Sequence, residues 1–367
     1  MTSEFIMQMK PWFGPEEKKA IKDYMEEDGF LTEFKHTAEF ETAIARYTGA
    51  KHCVVVNNGT VSLTLAALAC GIKSGDEVIV PNYTMVATPN SVQMFGAKPV
   101  FVDVEEDTLC LDIDKVRLAI TSKTKAIIMV SANGRYPSTG IDVFKDLCSE
   151  YEVTLIEDAA QSMGSYYPDG VHIGRKGLVG SFSFSAPKII STGQGGCLIT
   201  DNDSIAAKLR TLKDFGRASG GGSDIHQTIG YNFKFTEMQA VIGLAQMEKL
   251  DFRVTRKKQI YSLYLKLLSD VPELKFFSHD LQYTAPWFID CLAQNRDGLM
   301  KYLKEKNIGS RVMYPPLNEQ PAYSIPGLHP ISKNVGQNGL WLPSMSQLTD
   351  DEVHYICDAI IEFYGSK

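Results

Sequence analysis

What this chain lacks narrows the field first. Its seven cysteines (53, 70, 110, 148, 197, 291 and 357) show no CxxC or CxxH spacing, so neither a zinc knuckle nor a dithiol motif is present and no metal is expected. Cys53 in HCVVV and Cys197 in GGCLIT sit in apolar runs and read as small core residues of a reducing compartment. No apolar run approaches the ~20 residues of a bilayer-spanning helix. The opening MTSEFIMQMKPWFG is too short and too polar for a secretory leader, so a cytoplasmic chain without a membrane partner is expected. With 37 basic and 44 acidic residues the net charge is −7. That balance gives no general attraction for nucleic acid or anionic lipid, and an anionic ligand would need local cations. Internal repeats and low-complexity tails are also missing.

What is present is an ordinary globular composition, 44% hydrophobic and 22% charged over 367 residues, enough for one large or two medium domains. Apolar strands at HCVVV (52–56), DEVIVP (76–81), KPVFVDV (98–104), KAIIMVS (125–131) and VTLIEDAA (153–160) alternate with helical segments such as VSLTLAALACG (61–71). Nearly continuous apolar strands separated by helices predict an α/β fold, its parallel or mixed sheet covered on both faces. SFSFS (181–185) and CLIT (197–200) add two strands, and 203–213 and 236–269 read as mostly helical. RASGGGSD (217–224) reads as a mobile loop. After about residue 252 the pattern changes to a long charged helix, short strands near KFFS and PWFIDCLA, and helices at 297–306 and 350–363. This divides the chain into a large domain, 1–251, and a small α+β domain, 252–367. The N-terminal helix PEEKKAIKDYMEE is expected to pack against the small domain.

Three constellations carry possible chemistry. NNGT (57–60) joins a strand to a helix, where free backbone N–H groups bind anions and Gly59 permits close approach; the plain alternative is a tight turn capped by Thr60. IEDAAQS (156–162) ends a strand, where ligands of open α/β sheets bind. Its adjacent Glu157 and Asp158 point to opposite faces, and a carboxylate there needs a partner. FSFSAPKIISTGQGG (182–196) holds Lys188 five residues after Ser183. A desolvated lysine is nucleophilic toward carbonyls, and the glycines behind it leave room for another element, a cofactor or a substrate. A phosphate-binding turn, a carboxylate for a heteroaromatic nitrogen and an imine-forming lysine together meet the needs of pyridoxal phosphate.

In this order and spacing the chain resembles the DegT/StrS family of sugar aminotransferases. The resemblance runs through NNGTVSLTLAALACGIKSGDEVIVP, IEDAAQSMGS, SFSFSAPKIISTGQGGCLITD, IGYNFKFTEMQAVIGLAQMEKL and SRVMYPPLNEQPAY. It implies the type I fold of pyridoxal-phosphate-dependent transferases, with a mixed, mostly parallel seven-stranded sheet between helices. It implies that Lys188 carries the cofactor and that Asp158 pairs with the pyridine nitrogen. Gln161 then lies near the ring hydroxyl. Asn58 belongs to the cofactor site, and Gly59, Thr60 and Ser183 bind the phosphate. Asn232 reaches the phosphate of the neighbouring subunit in a homodimer with shared sites. Relatives with histidine at the Lys188 position are dehydratases, so the lysine favours transamination, with glutamate as donor.

The sequence departs from the family at three places. Met85 stands where an aromatic side chain usually covers the cofactor. Ser131, Asn133 and Arg135 occupy a segment that often holds histidine and tyrosine, and Asn318 replaces a frequent histidine. Arg135, Arg217, Tyr314 and Asn318 are the candidate substrate residues, with salt bridges as the plain alternative for the two arginines. The implied substrate is a nucleotide-linked keto-6-deoxyhexose, aminated for cell-surface polysaccharide such as lipopolysaccharide. Two alternatives stay open: a keto-octulosonate or other sugar acid gripped by Arg135, and a non-catalytic protein that binds a sugar nucleotide. His172 and His226 read as solvated loop residues.

Overall fold

The computed structural model describes residues 4–27, 29–217 and 224–365; most of the expected glycine-rich loop, 218–223, lies outside them. Seven strands form the larger sheet: β1 (His52–Val56), β2 (Glu77–Pro81), β3 (Lys98–Val102), β4 (Thr124–Val130), β5 (Thr154–Asp158), β6 (Val179–Ser183) and β7 (Gly196–Thr200). Their order is β1-β7-β6-β5-β4-β2-β3. Only β7 runs against its neighbours; β6, β5, β4, β2 and β3 pair in parallel.

Period-two alternation explains why this sheet is covered twice. Val55, Ile127 and Met129 enter the core on one face with Phe40, Ile44 and Phe144. Val54, Val56, Ile128 and Ile156 enter the core on the other, against Leu65 and Ala66 of the helix Gly59–Ala69. Both faces of each central strand are therefore apolar, which is why its sequence does not alternate. The pleat also separates the neighbouring acids. Glu157 is fully buried and accepts from Tyr167 Oη (2.5 Å), Gly174 N (2.8 Å) and Gly177 N (2.5 Å), whereas Asp158 closes the strand on the opposite face.

The smaller sheet contains β8 (Leu274–Phe276), β9 (Ile289–Ala293), β10 (Arg311–Val312) and β11 (Gly339–Leu342), antiparallel in the order β10-β11-β9-β8. Helices Arg296–Glu305 and Asp350–Gly365 cover it, with Leu299, Leu303, Ile356 and Ile360 inside. The helix Leu250–Leu267 serves both cores. Its early Arg253 reaches Ile189 in the β6–β7 loop of the larger sheet, Lys257 holds the Trp287 carbonyl just before β9, and Ile260, Tyr261 and Tyr264 lie in the small core.

The N-terminal helix packs differently from the expectation. Pro15–Glu26 lies along Glu237–Glu248, tied by Glu17 to Gln246 and Lys249. It is the short extended stretch before it that joins the small core, where buried Ile6 bridges Ile308. Among the described residues, no helix is long and apolar enough to cross a membrane, and no cluster of His, Cys, Asp or Glu is placed to hold a metal.

Candidate active site

The C-terminal ends of β1, β5 and β6 converge with the start of helix Gly59–Ala69. Asn58 caps that helix, its Oδ1 accepting from Val61 N at 3.0 Å; the cap is not Thr60, which lies inside the first turn. The N–H groups of Gly59 and Thr60 find no carbonyl within their own helix. Gly59 is demanded by proximity, because a Cβ there would stand 2.8 Å from Ser183 Cβ. Gly196 lies in register between Val56 and Ser183, and a Cβ on it would come within 2.9 Å of the Asn58 carbonyl. The element that approaches Gly196 is thus the 57–60 turn; this glycine makes room for protein rather than for a ligand.

Asp158 is buried and accepts from Thr88 Oγ1 (2.8 Å) and Ala160 N (3.2 Å). Thr88 is within 3.0 Å of the Thr84 hydroxyl. Burial raises the carboxyl's pKa, and the Thr88 hydroxyl, the Ala160 amide and the charge of Lys188 pull it back. Lys188 lies in the loop from β6 to β7. Desolvation lowers its pKa to about 8, against the opposing pull of Asp158. Among the described residues, no hydrogen-bond or ion-pair partner meets its amine, which instead lies 4.1 Å from the centroid of the Trp287 ring. Gln161, Ser183 and Ala285 line the same pocket. Gln161 is oriented by its neighbour: Asn133 N donates to its Oε1 at 2.6 Å, which leaves the amide NH₂ as a donor.

The other sequence candidates divide. Tyr314 lies near enough for the charge of Asp158 to raise its pKa, pushed up to about 12 mainly by burial; its ring meets Tyr83 at 5.9 Å and Trp341 at 4.8 Å. Met85 is 44% exposed and precedes the helix Ala87–Gln93 that carries Thr88. Asn232 is exposed beside the 57–60 turn, whose Asn57 N donates to Phe233 O at 3.2 Å.

Three candidates are already engaged. Arg135 is buried and forms a two-pronged pair with Asp290, at 3.1 and 2.7 Å, while its Nε donates to Thr108 O. The expectation that it grips a substrate anion is corrected accordingly: the guanidinium ties the β4 loop to β9. Asn318 is also buried; its Oδ1 accepts from Asn82 Nδ2 (2.8 Å) and its Nδ2 donates to Ile325 O (3.1 Å). Arg217 pairs with Asp214 and Asp224 in a separate cleft that includes Phe34, Arg210 and Lys213. His172 is another correction. It is buried, accepts from Gly164 N through Nε2 and faces Ile173 O through Nδ1, and desolvation lowers its pKa to about 4. His226 remains exposed.

The DegT/DnrJ/EryC1/StrS aminotransferase family model matches residues 12–361. The chain belongs to this family. It is 33% identical to a GDP-perosamine synthase of Escherichia coli O157:H7 over 368 residues, which covers 99% of this chain and 100% of the relative. It is 33% identical to the GDP-perosamine synthase of Vibrio cholerae, covering 97% and 98%. The crystal structure of a family aminotransferase from Brucella abortus superposes with a TM-score of 0.89 at 29% identity, over 95% of each chain. The protein is a pyridoxal-phosphate-dependent sugar aminotransferase with the type I fold.

The residues present fit that cofactor. An unpartnered amine, a buried carboxylate held by two donors and a capped helix start pressed against a serine meet its aldehyde, pyridine nitrogen and phosphate in chemical kind. Sequence reasoning missed Trp287, Thr88 and Asn82. Their local sequences read as an ordinary strand, helix and turn, and only contacts across 70 to 236 positions single them out.

Proposed function

We propose that this aminotransferase moves an amino group from glutamate to a nucleotide-linked keto-6-deoxyhexose. The observation that carries this reading is Lys188: a desolvated amine without an ion-pair partner among the described residues, facing a pocket it shares with Gln161 and Ser183. Pyridoxal phosphate, when bound, supplies the electron sink that makes a Cα proton of the donor acidic. Lys188 would hold the cofactor at rest, and its Nζ, when free of it, would take up the donor Cα proton and give it back as the general acid. Its lowered pKa keeps a useful fraction neutral near physiological pH. Asp158 holds the proton on the pyridine nitrogen, and Thr88 and Ala160 keep that carboxylate aimed. Gln161 donates to the ring hydroxyl. The amides of Gly59 and Thr60, with Ser183 and the adjoining Asn58, bind the phosphate. Met85 would cover the ring, and Tyr314 would offer a neutral hydroxyl to the sugar.

The exposed Phe30, Leu31 and Phe34, the first and last of them in ring contact, are apolar enough to be part of an interface. In our reading they contribute to a homodimer in which Asn232 serves the neighbouring subunit's phosphate. We place the domain division at 251/252, the enzyme in the cytoplasm, and its product in cell-surface polysaccharide. The sugar-acid alternative loses its support because Asp290 already occupies Arg135.

The test offers the purified protein and glutamate a panel of GDP-, dTDP- and UDP-linked keto-6-deoxyhexoses and a keto-octulosonate. Loaded protein should absorb near ~420 nm as an imine does and bleach with glutamate. Turnover of at least one nucleotide sugar, and none of the sugar acid, is expected. Turnover of the sugar acid alone would overturn the substrate reading, and an absorbance indifferent to every amino donor would overturn the mechanism.

A further inference from the structure

The two peptide carbonyls flanking Lys188 are both held from outside its own loop. Trp287 Nε1 donates to Pro187 O at 2.8 Å, and Arg253 Nη1 donates to Ile189 O at 2.7 Å. The indole then continues beneath the lysine's amine, 4.1 Å from ring centroid to Nζ. An aromatic face attracts an ammonium within about 6 Å of its centroid, most strongly when water is excluded.

The ring itself is immobilised. Trp287 is buried and stacks on Phe288 with centroids 3.8 Å apart and planes 19° apart, and meets Trp341 edge-on at 6.0 Å. Its backbone N–H donates to Asn133 O, and its carbonyl accepts from Lys257 Nζ at 2.7 Å. Lys257 and Asn133 belong to different elements, so the indole is wedged where the small sheet meets the loops of the large one.

We propose that Trp287 is a positioning residue for Lys188: its ring face receives the amine whenever the lysine is not bonded to the cofactor, and its N–H fixes the loop that carries it. This rests on Lys188 being the reactive amine. Each transfer releases that lysine, and a freed lysine has four rotatable bonds and would otherwise turn toward solvent. Docked on the indole, the ammonium is favoured by the ring and by Asp158 from β5 and disfavoured by desolvation. The amine thereby stays within the site, and its charged and neutral forms reach equal amounts near pH 8.

The test compares Trp287→Phe, which keeps a ring, with Trp287→Leu, which keeps only apolar bulk. In cofactor-free full-length protein, acylation at Lys188 is followed against pH by peptide mass spectrometry. The leucine variant should titrate about tenfold lower in proton affinity than the phenylalanine variant, which stays near the unsubstituted protein. In loaded enzyme, kcat should fall at least tenfold further in the leucine variant, with KM for glutamate unchanged. Equal titration and equal kcat in the two variants would overturn the inference while leaving Lys188's own role intact. Turnover surviving Lys188→Ala would overturn both. A measurement on the unsubstituted tryptophan guards against misfolding: indole emission should show a pH step near 8 that Lys188→Met removes. Absence of that lysine-dependent step also overturns the inference.

Discussion

Two loops at the same edge of the large sheet make an instructive pair. The β6–β7 loop around Lys188 and the β4 loop, SANGRYP, both follow C-terminal strand ends and both carry a cation. In the first, among the described residues, the amine has no hydrogen-bond or ion-pair partner and meets an aromatic face. In the second, the amide of Asn133 and the guanidinium of Arg135 are spent, and among the described residues Ser131 Oγ alone is buried without a partner in that loop. Asn133 exchanges two side-chain hydrogen bonds with the backbone of Phe288 (2.8 and 2.6 Å), and Arg135 engages Asp290, Thr108 and the His279 ring. Position on the sheet makes either loop a candidate site. What separates them is where the cation is spent: a fully engaged guanidinium stabilises a joint, whereas a functional amine must keep its valence for a ligand.

The contrast can be broken from either side. Lys188→Ala should reduce turnover to the uncatalysed background, a loss of several orders of magnitude, with the melting temperature unchanged or raised because a desolvated amine is removed. Full activity in that variant would return Lys188 to the rank of an ordinary lysine. Arg135→Met should leave Asp290 buried and unpaired and cost roughly 3–5 kcal/mol of stability in urea titrations. Arg135→Met with Asp290→Leu should recover most of it and preserve KM for the keto-sugar. A large KM increase in the stable double variant would show a substrate role instead.

A smaller effect comes from His172. Its pKa is lowered to about 4 in the folded chain against about 6.5 unfolded, so the unfolded state takes up the proton first. The ring's contribution is complete above about pH 6.5 and is lost as pH falls toward 4, about 3 kcal/mol over that window. Denaturant midpoints of cofactor-free protein should therefore drop less on acidification in His172→Gln than in the parent. The smallest change is Asn318→Ala, which strands the Asn82 amide and the Ile325 carbonyl for about 2 kcal/mol, with kcat per folded molecule retained. A selective loss of sugar binding would contradict the structural role.

Much of the site was legible because its motifs are local. The run from Asn58 to Thr60 and the five-residue step from Ser183 to Lys188 each belong to one strand end, so spacing along the chain becomes spacing in space. The departures from the family pattern were legible as departures, but their meaning was not. Nothing within SANGRYP reveals that Asp290 is 155 positions away and in contact, and nothing in VHIG tells that His172 is folded under two backbone groups. The expected cap was Thr60; the turn geometry gives that place to Asn58, the stronger N-cap residue type.

By itself, then, the sequence determined the alternation that builds a doubly covered sheet, the turn at NNGT between the first strand and its helix, and the presence of a lysine among residues suited to pyridoxal phosphate. Those follow from backbone periodicity and residue chemistry, which act over a few positions. Only the tertiary structure decided which polar groups are spent and which are free. Burial of a charge depends on partners brought from distant elements: Trp287 beneath Lys188, Thr88 on Asp158, and Asp290 around Arg135.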